Sequence, residues 1–324
     1  SLVLSMGDLV GNGDSEADWQ VQFFDPLRTN IRELLAHLPY QACLGNHEAS
    51  GGLFAAYFPY PFVADRYWSF DYGPAHFAVV DQYVDYGPGS PQLAWLDADL
   101  AATDRPWKFI VLHEPGWSAG GGHENSEEVQ TDIWPLCLVH DVAIVFGGHN
   151  HYYARAELNG VQHITTGGGG APTYTPDPGY PFVVATSATH HFCKVAIDGD
   201  LLTLAVTTPE GEVVDTFTRP VPTAVSRSGD AVPAPVLLPA HPNPFNASTA
   251  FAFTLPADGK AALDVFDLDG GKVRTLLSGN LPAGDHDISW DGRADDSRAV
   301  GSGIYIYRLR AAGRVLSGRV MLVK

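Results

Sequence analysis

Residues 142–151 read Val142-Ala143-Ile144-Val145-Phe146-Gly147-Gly148-His149-Asn150-His151. An apolar run of this length suits a buried strand. It stops at two glycines, and polar residues follow at once. The same event occurs three more times. Residues 1–6 stop at Gly7-Asp8, Ala42-Cys43-Leu44 at Gly45-Asn46-His47-Glu48, and Phe109–Leu112 at His113. Between these strands, Leu27, Ile31, Leu34, Leu35 and Leu38 recur at helical spacing until Pro39 ends the run. Leu93, Leu96 and Leu100 mark a second, shorter helix. Residues 67–81 alternate as a hairpin about Gly73-Pro74. Strands and helices in this order predict a layered α/β fold, in which loops converge at the carboxyl ends of strands.

Each polar cluster is weak by itself. A strand-end aspartate is more often a cap or turn residue, and a single histidine is more often structural. Together and in this order they are specific, because their chemistry is complementary. Two cations ~3.5–4 Å apart can clamp a phosphoryl group and activate water. Such a pair needs a bridging anion, and the Asp8 carboxylate has two oxygens to offer. His113, His149 and His151 supply imidazoles, and Asn46 a neutral oxygen. Mixed nitrogen and oxygen ligands suit transition metals rather than calcium.

The motifs Gly7-Asp8, Gly45-Asn46-His47-Glu48, His113 and Gly148-His149-Asn150-His151 resemble, in order, four of the five motifs of the calcineurin-like metallophosphoesterases. Tyr67–Asp81, Ile164–Tyr174 and the run Gly148–Arg155 are similar to the purple-acid-phosphatase-like members. The resemblance covers roughly residues 1–218. It implies a four-layer α/β/β/α sandwich holding two divalent or trivalent transition metals, with Fe, Zn or Mn the candidates. By motif, Asp8 would bridge both ions. Asn46, His113 and His149 would bind one ion, and His151 the other. His47 would face substrate as transition-state stabiliser or acid, with Glu48 orienting it. His123, in the loop after His113, is a further candidate proton donor. The family's first motif, Asp-x-His, is expected on a strand before Ser1, so the chain is read as lacking its first strand. Gly11 stands where purple acid phosphatases carry a metal-binding tyrosine, which implies no purple charge-transfer band.

Composition agrees with two domains. The chain has 324 residues, 45% of them hydrophobic, with 34 Gly and 24 Pro. Residues 1–218 carry 7 Lys+Arg against 27 Asp+Glu, a balance of −20, whereas residues 239–324 carry 10 against 9. So acidic a front part excludes nucleic-acid binding through a broad basic face. No apolar run is long enough to span a bilayer. Cys43, Cys137 and Cys193 show no CxxC spacing and read as buried small hydrophobes. Residues 219–238, rich in Pro, Ala, Val and Ser, read as a linker.

Residues 239–324 change to short strands with regular turn signals, an all-β sandwich pattern. His241–Asn246, Val265-Phe266-Asp267, Leu281–Gly284, Trp290-Asp291-Gly292 and Gly303-Ile304-Tyr305 resemble Ig-like C-terminal domains of secreted bacterial enzymes, including type IX sorting and flagellar-hook-capping types. That implies a secreted or cell-surface bacterial protein, with secretion machinery or the envelope as partner of this segment. A passive spacer is the plain alternative. For the whole chain, the leading expectation is hydrolysis of a small phosphorylated substrate, a phosphomonoester first. A phosphodiesterase, a nucleotidase, or a surface binding protein with an inactive phosphoesterase domain are the alternatives. Arg155 and the Gly167–Gly170 run are expected to support the site rather than bind phosphate, and His76 to be a satisfied core residue.

Overall fold

The computed structural model describes the chain apart from residues 49, 61–65, 222–234, 239, 268–270 and 313. The chain divides into two compact units, Ser1–Thr223 and Ala224–Lys324. In the first, β1 (Val3–Ser5) pairs in parallel with β2 (Tyr40–Ala42). The crossover between them holds the helical turn α1 (Glu16–Asp18), capped by the Ser15 side chain, and helix α2 (Thr29–His37). Leu38 ends α2 in an extended conformation, as a residue before proline must. After α3 (Gly52–Tyr57) come β3 (Trp68–Tyr72) and β4 (Ala75–Val79), an antiparallel hairpin.

Helix α4 (Pro91–Ala102) starts with proline in its first turn and Ser90 as N-cap, its hydroxyl accepting from Leu93 N–H. It buries Leu96 and Leu100. Strand β5 (Trp107–Val111), helix α5 (Trp134–Val139), β6 (Ile144–Gly147), β7 (Tyr153–Leu158), β8 (Val161–Thr166) and β9 (Val183–Ser187) follow. The seven-stranded sheet has the order β3-β4-β5-β6-β8-β7-β9, and its middle pairs β4–β5, β5–β6 and β6–β8 are parallel. That explains why β5 and β6 read as unbroken apolar runs: both faces are covered. Antiparallel β10 (Phe192–Asp198), β11 (Leu201–Thr207) and β12 (Val213–Pro220) form a further sheet.

One core joins these sheets. Leu202, Leu204 and Val206 of β11 belong to the same buried cluster as Phe77, Phe109, Val111, Ile144 and Phe146. Each such side chain contributes roughly 1.5–3 kcal/mol relative to exposure. Cys43 and Cys137 are buried and Cys193 half-buried, all with free thiols.

The second unit is all β. Strands β13 (Val236–Leu237), β14 (Thr249–Leu255) and β17 (Gly284–Trp290) make one sheet. The other has the order β16 (Lys272–Leu281), β15 (Gly259–Phe266), β18 (Gly303–Ala311), β19 (Arg314–Leu322). Phe251, Phe253, Leu263, Trp290 and Tyr307 fill the space between them. The motif residues here are structural. Asn243 Oδ1 accepts from Met321 N–H at 2.8 Å, Trp290 Nε1–H donates to Arg293 C=O at 2.8 Å, and Tyr305 OH to Gly301 C=O at 2.8 Å.

The stretch 219–238 differs from a plain linker at both ends. Arg219 and Pro220 complete β12, pairing with Leu202 and Leu201, and Val236-Leu237 form β13 against Thr254 and Phe253. Strand pairing satisfies backbone groups that a linker would leave to water. Residues 222–234 lie outside the described residues.

His76 on β4 is clamped between two carboxylates, Nδ1 at 2.8 Å from Asp71 and Nε2 at 2.8 Å from Asp99, whose other oxygen takes Ser69 OH at 2.6 Å. Burial lowers the imidazole's pKa, but the Asp99 and Asp71 hydrogen bonds and charges outweigh it and hold the pKa above its ordinary value. The folded state therefore binds this proton more tightly than the unfolded chain. Its stabilisation is complete below the unfolded pKa and is lost as pH rises through the folded one. His76→Gln is expected to lower the stability of the first unit by about 1–2 kcal/mol near ~pH 5.5 and by clearly less near ~pH 9, read from urea midpoints. An equal loss at both pH values would contradict a charged clamp.

Candidate metal centre

Parallel β1 and β2 deliver Gly7-Asp8 and Gly45-Asn46 to one edge of their sheet, and parallel β5 and β6 do the same with His113 and Gly148-His149. These loops interlock tightly. A Cβ on Gly45 would lie 2.1 Å from Asp8 Oδ1, so only glycine fits there. Asp8 (φ 55°) and His149 (φ 61°) both sit in the left-handed region, a strained choice for side-chain-bearing residues. Such strain persists only where surrounding contacts fix it, and it clusters at functional sites.

His113 Nε2 is the hub. It lies 3.1 Å from Asp8 Oδ2, 3.1 Å from Asn46 Oδ1 and 3.1 Å from His149 Nδ1. The ligating atoms of Asp8, His113 and His149 all fall within 4.8 Å of one another. His113 donates Nδ1–H to Met6 C=O at 2.5 Å, which leaves Nε2 of the neutral ring with a lone pair. Lone pairs of a carboxylate, an amide and two imidazoles thus face a common point. That arrangement is repulsive unless a proton or a cation sits among them, and the mixed N/O donor set fits a transition ion.

The electrostatics agree. Burial pushes the Asp8 carboxyl up, but the His113 hydrogen bond and charge, with the His47 amide, hold it below its ordinary value. Burial likewise lowers His113, and Asp8 with the Met6 carbonyl more than offsets this, so its pKa is raised. His149 is pushed down to about 4, by burial first and then by the His113 and His123 rings. It is therefore neutral and able to ligate at physiological pH.

The other candidates fall around this hub. His47 is exposed, its amide donates to Asp8 Oδ1 at 3.0 Å, and its Nδ1–H goes to Gly11 C=O at 2.6 Å. Its Nε2 is left 3.9 Å from Asp8 Oδ2. His123 stacks on His149 with ring centres 3.9 Å apart. His151 lies outside the three-residue cluster: Nδ1–H donates to Pro172 C=O at 3.0 Å, and the ring stacks on Tyr174 at 4.3 Å. Arg155 is turned to Asp215, 2.7 Å away, and lies over Phe217.

Glu48 departs from expectation. It does not orient the His47 ring, which Gly11 holds instead. Its buried carboxylate accepts from the amides of Asp8 (2.8 Å), Leu9 (2.7 Å), Val10 (3.3 Å) and Gly45 (3.0 Å). The reason is geometric: Glu48 ends the helical turn Asn46–Glu48, whose side chains diverge, so His47 reaches solvent while Glu48 points inward. Two positioning residues carried no sequence signal. Gln82 Oε1 accepts from the His113 and Glu114 amides at 2.9 and 2.6 Å. Asn150, fully buried between two candidate ligands, donates to Ser118 Oγ and His123 C=O rather than joining the imidazoles.

Residues 1–153 match the family model described as calcineurin-like phosphoesterase, and residues 243–314 that of the FlgD Ig-like domain. Purple acid phosphatase 18 of Arabidopsis thaliana is 29% identical over 48% of this chain and 41% of its own length. A nucleotide pyrophosphatase/phosphodiesterase of Hordeum vulgare is 24% identical over 67% of this chain and 71% of its own. A purple acid phosphatase from yellow lupin (Lupinus luteus) seeds shares the fold, with TM-score 0.58 and 22% identity over 67% of this chain and 46% of that one. The chain thus spans less than half the length of the purple acid phosphatases it matches.

Replacing Glu48 tests the clamp. In Glu48→Gln one oxygen becomes an amide N–H₂ facing N–H donors. The expected loss of stability is about 1–3 kcal/mol, measured as a lowered urea midpoint. An unchanged midpoint would mean the carboxylate does not hold the two loops.

Proposed function

We propose that this protein is a metallophosphoesterase that hydrolyses phosphate esters with two bound transition-metal ions, phosphomonoesters first among its substrates; the match of residues 1–153 to the calcineurin-like phosphoesterase model supports this reading. The observation that carries this reading is the convergence of Asp8, Asn46 and His149 on His113 Nε2, each at 3.1 Å. The names of the purple acid phosphatase relatives support the monoester. Asp8 would bridge the ions, Asn46, His113 and His149 would hold one, and His151 the other. Fe, Zn and Mn fit the donor set. Bound there, the metals supply Lewis acidity toward the phosphoryl oxygens and lower the pKa of attacking water.

The protein's own groups do the rest. Gly11 C=O fixes the His47 ring with Nε2 3.9 Å from Asp8 Oδ2, where it can carry a proton toward the leaving oxygen. His123, stacked on His149, is a second donor at the same mouth. Pro172 C=O takes the Nδ1 proton of His151, which frees its Nε2 for ligation. For the second unit we propose a role in export or attachment at a bacterial surface, supported by the FlgD Ig-like match over residues 243–314.

The metal-loaded protein is expected to hydrolyse 4-nitrophenyl phosphate, and to lose at least about 100-fold in rate on chelation or in Asp8→Ala. The iron-loaded protein is expected to show no tyrosinate charge-transfer band, because position 11 is glycine. Turnover that survives removal of all metal would sink the metal reading. In the native host, deletion of residues 239–324 should release the protein from the cell-surface fraction, followed by immunoblot. Unchanged fractionation would reduce this unit to a spacer.

A further inference from the structure

The loops that meet around Asp8 contain no lysine or arginine: residues 7–14, 45–52, 82–92, 113–128, 147–151 and 166–182. The neighbouring Arg66 is committed to the buried Asp81 carboxylate at 2.5 Å and to Ser50 C=O at 3.3 Å. The same loops carry carboxylates next in sequence, or tied by the backbone, to the site residues, and Asp14, Glu124 and Asp177 are exposed. Asp14 follows Gly13, whose N–H donates to His47 C=O at 2.8 Å. Glu114 accepts from Tyr83 OH at 3.0 Å, and the Tyr83 ring is 6.4 Å from that of His113. Glu124 adjoins His123, which stacks on His149. Asp177 N–H donates to Ala119 C=O at 2.7 Å, which ties it to the His123 loop.

One side of this mouth is an aromatic wall. Tyr174 stacks on His151 and lies 5.9 Å from His123. The wall depends on a close approach: a Cβ on Gly121 (φ 72°) would fall 1.9 Å from Thr175 C=O. The segment carrying Tyr174 therefore closes directly on the loop carrying His123.

From this arrangement we propose that the site selects phosphomonoesters whose leaving group is uncharged or cationic, and rejects those that bring a second anionic group. The inference rests on the phosphoesterase reading and deepens it. A single phosphoryl group is neutralised by the metals and the surrounding imidazoles. A further phosphate or carboxylate on the leaving side meets the negative field of Glu124, Asp177, Glu114 and Asp14, and these loops supply no lysine or arginine to pair with it. Sites that take polyanions supply arginine forks or lysines for them. A cationic leaving group meets carboxylates and the Tyr174 face, both attractive.

Three aryl phosphates test this, alike except for a ring substituent set off by three methylenes so that leaving-group acidity stays closely matched. One carries an uncharged methyl, one a trimethylammonium, one a carboxylate. At low salt, kcat/KM for the carboxylate compound is expected to fall at least about tenfold below the other two, with the gap narrowing as salt rises. Glu124→Lys should narrow it as well. Equal rates, or a preference for the carboxylate, would overturn the selectivity. If none of the three is turned over, the phosphoesterase reading fails. The corresponding arylphosphonates, titrated calorimetrically into the metal-loaded protein, then decide the selectivity alone: the same ranking of affinities upholds it, and equal affinities overturn it.

Discussion

The Glu48 carboxylate, buried among the backbone amides of two crossing loops, is the constraint on which the site depends. Each of its oxygens takes amides from the loop after β1, and one also takes the Gly45 amide from the loop after β2. Those bonds hold Asp8 at φ 55° and bring Gly45 against it so closely that no side chain is tolerated. Burial pushes the Glu48 carboxyl up, a cost that the Gly45, Asp8 and Val10 amides offset in part. A carboxylate so placed costs stability unless its hydrogen bonds are complete, which explains why they are so numerous. The strain at Asp8 and the burial of Glu48 have one purpose between them, to fix a carboxylate beside His113.

The strand arrangement does the remainder. Parallel neighbours place all their carboxyl ends on one side, so β1, β2, β5 and β6 each end in a polar loop at the same place. Sequence-distant residues, Asp8 and His149 among them, meet without any local motif to join them. The all-β unit uses its motif residues differently. Trp290, Tyr305, Tyr307 and Asn243 brace a sandwich core and its edges, and nothing among the described residues there imitates the donor set of the first unit.

Much of this was legible in the sequence because it depends on one-dimensional patterns. Apolar runs that stop at Gly-Asp, Gly-Asn-His and Gly-His-Asn-His locate strand ends, and strand ends locate the site. Proline at position 39 marked a helix stop, and Leu93, Leu96 and Leu100 marked a second helix. The parts that were not legible depend on side-chain direction. Nothing in Gly45-Asn46-His47-Glu48 says that the glutamate turns inward while the histidine turns to solvent; that follows from the helical turn those residues adopt. Gln82 is a glutamine after a strand, and only its distance to the His113 amide gives it a role. Residues 219–238 look featureless by composition, yet their ends pair with strands remote in sequence.

The central claim is that a cation belongs at the point faced by Asp8, Asn46, His113 and His149. Anomalous diffraction from crystals of the metal-loaded protein, collected across the Fe, Zn and Mn absorption edges, tests it most directly. The account predicts a peak at ligand distance, about 2.0–2.2 Å, from His113 Nε2 and Asp8 Oδ2. A well-ordered site with no anomalous peak there, or with every bound metal elsewhere on the chain, would contradict it.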